Sequence, residues 1–245
     1  MSQETTSRCS LWVLGVKPDS GRESLLMSYL VAGGYDCCLQ QIDALTDGRP
    51  LGIVLDISPF SDDGWGLLQK IKQNPETRNI PVLPVFLSEK GKVAGVFPVA
   101  GFFTLPLDIP YLTERLAVYG LTEEAEEYDL QAMIVTRLGD EKLTKSVESI
   151  GFEALKAYTA KEALALAAIH PAYLVFVSLM LPDMSAFEMM EKFRLIPYSG
   201  NTPFFVLLKE EMKEGEKAAM SREIAHLVSK KQLSCEEFLK FLRCR

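Results

Sequence analysis

The stretch Leu51-Gly-Ile-Val-Leu-Asp56-Ile-Ser-Pro-Phe-Ser-Asp-Asp63-Gly64-Trp-Gly-Leu-Leu68 decides how this chain is read. A strand-length apolar run, 52–56, ends on a carboxylate. A short run of this kind without polar alternation predicts a strand buried on both faces of a parallel sheet. Pro59 then interrupts the backbone, and Asp62 and Asp63 stand where acids favour the positive end of a helix. Trp65 and Leu68 open that helix at an apolar spacing of three.

The second half repeats the plan in Tyr173-Leu-Val-Phe-Val-Ser178-Leu-Met-Leu-Pro182-Asp-Met-Ser-Ala186-Phe-Glu-Met-Met190. Outward from these two stretches, apolar runs alternate with amphipathic ones along the chain, the pattern of a parallel sheet covered by helices. The predicted strands of the first half are 11–16, 37–42, 52–56, 82–87 and 101–104, with helices at 20–32, 43–47, 65–73, 90–96 and 109–119. Those of the second half are 132–136, 153–157, 173–178, 204–208 and 226–229, with helices at 141–150, 160–169, 186–194, 212–221 and 235–242. Local phrases match too. Gly33-Gly34-Tyr35 answers Gly151-Phe152 at helix ends, and Asn79-Ile-Pro81 answers Asn201-Thr-Pro203 at strand starts. An offset of about 120 residues between two such copies predicts an internal duplication. The expected organisation is a tail at 1–9, one domain at 10–120, an acidic connection at 121–130, and a second domain at 131–245. The connection reads either as a solvated linker or as a helical extension.

Composition excludes several classes. A net charge of −7 without a basic stripe argues against nucleic acid as a partner. No apolar run nears the roughly 20 residues that span a bilayer, and the first residues carry no apolar signal core. A cytoplasmic protein without a membrane partner is expected. The five cysteines are odd in number with no C-x-x-C, and His170 and His226 lie far apart, so neither a zinc site nor a disulfide framework is expected.

The two quoted stretches resemble the receiver domain of bacterial response regulators, and Pro75-Glu-Thr-Arg-Asn-Ile-Pro-Val-Leu is similar to that family's run into its fourth strand. The resemblance spans roughly 10–120 and 130–243. It implies an α/β fold of two tandem, doubly wound, five-stranded parallel sheets of the flavodoxin or CheY-like type. It also implies a chemistry: an aspartate accepts a phosphoryl group beside a divalent cation, which two acids after the first strand help to hold. A hydroxyl after the fourth strand and a lysine after the fifth engage the phosphoryl oxygens.

Carried over residue by residue, the resemblance puts Asp56 at the phospho-acceptor position, Ser88 at the switch hydroxyl and Phe102 at the switch aromatic. Lys17 and Pro18 stand where the acid pair belongs, with Asp19 beside them, and Leu105 replaces the lysine. In the second copy Ser178 replaces the acceptor, Leu208 replaces the hydroxyl, and Lys230 remains at the lysine position. Val135–Thr136 or Thr136–Arg137 fill its acid slots. Both copies are therefore expected to be degenerate. No metal is expected beyond weak Mg²⁺ at Asp56 and Asp19, and Mg²⁺ as a cofactor only if Asp56 is phosphorylated. A Lys17 ammonium is expected to pair with Asp56 in place of the cation. Each residue also has a plainer reading. Asp56 caps the loop that follows it, Ser88 ends a strand, Phe102 and Phe103 pack in a core, and Lys230 anchors a loop.

Three functions follow. The first, which this pattern favours, is a non-catalytic two-component signalling or scaffold protein, a tandem pseudo-receiver with no output domain. It would dock proteins, a histidine kinase or another signalling protein among them, through the fourth and fifth helices and the fifth strand, a surface that would also serve a homodimer. The second is a response regulator that accepts phosphate on Asp56 from a histidine kinase. The third, a flavodoxin-like cofactor-binding enzyme, lacks G-x-G-x-x-G, a P-loop and Asp-x-His, and its first strand–helix turn, Lys17-Pro-Asp-Ser-Gly21, is not glycine-rich.

Overall fold

The computed structural model describes residues 10–18, 20–42, 50–122, 130–137, 141–229 and 231–243. The expected helix at 43–47, most of the 121–130 connection and the 1–9 tail lie outside them. The described strands are β1 (Ser10–Leu14), β2 (Asp36–Leu39), β3 (Gly52–Asp56), β4 (Val82–Leu87), β5 (Val93–Val96), β6 (Gly101–Thr104), β7 (Gln131–Val135), β8 (Glu153–Ala157), β9 (Leu174–Ser178) and β10 (Phe204–Leu208). The described helices are α1 (Gly21–Ala32), α2 (Gly64–Gln73), α3 (Ile109–Val118), α4 (Glu141–Ser149), α5 (Ala160–Ala167), α6 (Ala186–Phe193), α7 (Glu214–Val228) and α8 (Cys235–Arg243).

Two five-stranded α/β sheets form, in the orders β2-β1-β3-β4-β5 and β6-β10-β9-β7-β8. Each has the 2-1-3-4-5 arrangement of a doubly wound flavodoxin-like fold, with the second sheet written from its fifth strand. The second sheet is parallel throughout. The first is parallel except at its edge, where β5 pairs antiparallel with β4. The central strands β3, β4 and β10 are buried at every position, as continuous apolar runs require. Pro81 and Pro203 open their strands as expected, each lending its carbonyl to the neighbouring strand at Ile53 and Val175.

The domain boundaries differ from the tandem expectation. The chain divides into one unit of Met1–Pro98 with Lys217–Arg245 and a second, continuous unit of Val99–Glu216. The strand and helix expected to close the first domain, β6 and α3, instead complete the second sheet, beside β10. Two local deviations explain this. First, 90–96 forms not a helix but the second arm of a hairpin, whose turn is closed by Ser88 N–H to the Lys92 carbonyl at 2.8 Å. Two β-branched apolar runs joined by a short Gly-containing turn pair locally at small loop-closure cost, and that pairing occupies the sheet edge that β6 would have used. Second, 226–229 is not a strand. The apolar residues Met220, Ile224 and Val228 recur every fourth position, so α7 continues through His226 to Val228. Among the described residues the second half supplies no fifth strand of its own, and β6 fills the place.

The first unit is completed by α7 and α8. Phe238 is fully buried and, with Leu239, joins a core made by Leu26, Leu30, Val85 and Val93. Its ring lies 5.9 Å from that of Tyr29 on α1. The Trp65 indole N–H donates to Ser221 Oγ at 3.2 Å, and Lys217 Nζ reaches Asp63 Oδ1 at 2.9 Å, so α7 is tied to the start of α2. Ser234 and Glu237 cap α8 reciprocally, each backbone N–H bonding the other's side chain. The second unit has its own aromatic core, in which Phe103 packs on Tyr111, Phe176 and Phe205.

Replacing Phe238 with Ala should cost about 4 kcal/mol of stability, as for a buried aromatic cut to a methyl. In hydrogen exchange, protection should fall in β1, α1 and β5. A loss confined to β7–β10 would instead mean that α8 stabilises the second sheet.

Candidate functional site

Asp56 ends β3, and its side chain is fully buried. The chain turns immediately after it, so that Oδ1 accepts from the Ser58 N–H at 2.9 Å and Oδ2 from the Ser58 hydroxyl at 3.1 Å. The Leu87 N–H at the end of β4 reaches Oδ1 at 3.4 Å. Burial pushes the carboxyl up to about 6, against the pull of the Ser58 and Leu87 hydrogen bonds and the Arg22 charge. Glycine is required beside it: a Cβ on Gly64 would stand 2.0 Å from the Asp56 carbonyl oxygen.

Above Asp56 lies a cleft of about 310 Å³, bordered by the β1–α1 loop, the start of α1, Phe60 and the β4–β5 turn. Ser20 caps α1 by accepting from the Glu23 N–H. Arg22, the second residue of α1, donates to the carbonyls of Phe60 at 3.3 Å and Glu89 at 3.1 Å. Its guanidinium lies 4.3 Å from the centre of the Phe60 ring. One arginine therefore ties the loop after β3 to the turn after β4. Gly91, at φ +78°, lets that turn pass close to Arg22.

The expected site residues separate on this frame. Lys17 is exposed on the cleft rim and forms no ion pair with Asp56; the cation acting on the carboxylate is Arg22, because the helix start directs it inward. Pro18 is also exposed. Ser88 does not reach Asp56: its hydroxyl accepts from the Lys92 N–H, anchoring the hairpin. Phe102 and Leu105 belong to the other unit, where Phe102 is buried and the Leu105 N–H donates to the Leu208 carbonyl at 2.8 Å. The lysine slot of the first copy thus sits beside the hydroxyl slot of the second. Ser178 is half-buried at the end of β9 and Leu208 fully buried. Asp19 and Lys230 lie outside the described residues.

Several residues that matter here were not singled out from sequence: Ser58, Phe60, Arg22, Lys90 and, in the second unit, Asp183. The Asp183 carboxylate accepts from the Ala160 and Lys161 N–H groups, both at 2.9 Å, tying the β9–α6 loop to the start of α5. Burial works to raise it, but these backbone bonds prevail and hold it below the usual carboxylate range. The Thr159-x-x-Glu162 capping box beside it is a sequence signal for that helix start.

The described residues of the cleft do not by themselves make a divalent-cation site. Mg²⁺ wants near-octahedral oxygen ligands, usually including carboxylates. Asp56 has both oxygens engaged, the other described acid lining the cleft is the exposed Glu89, and Lys17, Arg22 and Lys90 line the same space; Asp19, the second acid expected there, lies outside the described residues. Among the described residues, no three His, Cys, Asp or Glu side chains gather as a metal site. Nor is any described helix long and apolar enough to cross a membrane.

No family model and no curated protein matches the chain. The solved structures similar to it include receiver domains. A CheY-like response regulator receiver domain from Methylobacillus flagellatus is 21% identical with a TM-score of 0.31, covering 42% of this chain and 98% of that one. The N-terminal domain of a response regulator receiver protein from Methanoculleus marisnigri JR1 is 16% identical with a TM-score of 0.30, covering 41% and 98%. A putative two-component system response regulator/GGDEF domain protein is 14% identical with a TM-score of 0.31, covering 90% and 99%.

The Asp56 geometry makes a signed prediction. Its carboxyl binds a proton more tightly folded than unfolded, so its contribution to stability is full below about pH 4 and is lost as pH rises through about 6. Asp56→Asn keeps the acceptor for Ser58 and Leu87 and removes the charge. The variant should gain up to about 3 kcal/mol over the parent as pH rises across that window, read from denaturant midpoints. A difference that does not vary with pH would contradict it.

Proposed function

We propose that this chain is a non-catalytic signalling protein of two-component type, a pseudo-receiver that works by docking other proteins rather than by phosphoryl transfer. The observation that carries this reading is the sealed Asp56 carboxylate. In-line attack on phosphorus needs an exposed carboxylate oxygen and a cation to neutralise developing charge. Here the carboxylate is fully buried, both oxygens accept hydrogen bonds, and the described cleft residues above it bring three cations, Lys17, Arg22 and Lys90, against the one further acid Glu89. Ser178 stands at the equivalent strand end in the second unit, and a serine hydroxyl is a weak nucleophile unless a general base activates it.

Such a protein would dock through its fourth and fifth helices with the fifth strand, and in the first unit the elements at those places in the chain are α7, α8 and β5. A partner that reads it reads the C-terminal segment. The chain carrying Asp56→Asn should capture the same partners from its native host as the parent. Incubation with acetyl phosphate and Mg²⁺ should leave the intact mass unchanged. Stoichiometric phosphorylation of Asp56 would overturn the reading in favour of a phospho-regulated response regulator.

A further inference from the structure

Three cations from three separate elements border the cleft over Asp56: Lys17 from the β1–α1 loop, Arg22 from α1, and Lys90 from the β4–β5 turn. Among the described residues two carboxylates line the same space, Asp56 on the floor and Glu89 on the rim. Of these, Asp56 is covered and its charge is met by the Ser58 N–H and hydroxyl and the Leu87 N–H. We propose that this cleft is a non-covalent binding site for a small phosphate-class oxyanion, the reverse of the cation site that the receiver resemblance implies. The proposal rests on the reading that Asp56 is not a phospho-acceptor.

The geometry supports a built site rather than a chance cluster. Arg22 is already oriented by two carbonyls and the Phe60 ring, so little side-chain entropy remains to be lost when it meets an anion. Guanidinium and ammonium groups are the usual partners of phosphate oxygens. The cleft's volume, about 310 Å³, stands at the small end of ligand pockets, with room for a phosphate and a few further atoms. The raised carboxyl of Asp56 links occupancy to protons: a neutral Asp56 removes a negative charge from beneath the anion. The bound anion and the Asp56 proton should therefore favour one another.

The test is calorimetric titration of the full chain with sodium phosphate, against sodium chloride at matched ionic strength, without and with Mg²⁺. Saturable phosphate binding that needs no Mg²⁺ is expected. In a Lys17→Ala/Lys90→Ala double variant, in which both changed side chains are exposed, the dissociation constant should rise about tenfold or more. Sulfate, which does not titrate in this range, should bind more tightly at about pH 5 than at about pH 7.5. Binding no greater than that of chloride, binding unchanged in the double variant, or binding only with Mg²⁺ would overturn the proposal. Because inorganic phosphate is not a phosphodonor to aspartate, any of these failures leaves the pseudo-receiver reading to its own test.

Discussion

The first unit is arranged around one buried carboxylate. Asp56 stands fully buried at the end of a strand, and leaving such a group unpaired costs several kcal/mol. The loop after β3 therefore folds back so that Ser58 can donate twice, and β4 ends where Leu87 can donate once. Gly15 and Gly64 lack side chains where a Cβ would press on the Asp56 carbonyl, at 2.7 and 2.0 Å. Arg22 then draws the two flanking loops together from the start of α1. What looks like the remnant of a reactive site is, in these terms, a closed electrostatic unit.

A second constraint shapes the chain as a whole: each sheet must fill five places, and each takes the cheapest strand available. The hairpin at Ser88–Lys92 supplies β5 to the first sheet at small entropic cost, which releases β6 for the second. The helices α7 and α8 then cover the first unit, with Phe238 in its core and Trp65 bonded to Ser221. The second unit is continuous in sequence, while the first is assembled from both ends of the chain.

This arrangement explains what was legible in the residues. β3, β4, β6, β8 and β10 fall on the expected spans; β3, β4 and β10 announce themselves as buried apolar runs, whereas the edge strand β8, Glu153–Ala157, is read from the Gly151-Phe152 helix end before it. The helix ends at Gly34 and Gly151, with φ of +82° and +112°, follow from glycine placement. Which sheet a strand joins is not written in its own residues: Gly101-Phe-Phe-Thr104 suits either. The repeat therefore predicted tandem domains where the chain builds a discontinuous one. The antiparallel β5 did carry a signal, β-branched runs about a Gly-containing turn, that competes with the helical reading of 90–96. At the site, Asp56 was identifiable from its strand end alone. Arg22 was not, because an arginine in a first helical turn is ordinary until the loops that it bridges are seen.

The central claim, that Asp56 is a sealed carboxylate under a cationic cap and not a metal ligand, is most directly tested by carboxyl-carbon NMR of Asp56 across pH, with and without millimolar Mg²⁺. The account predicts titration near 6 that Mg²⁺ does not move. Titration in the ordinary carboxylate range, or a downward displacement when Mg²⁺ is added, would contradict it.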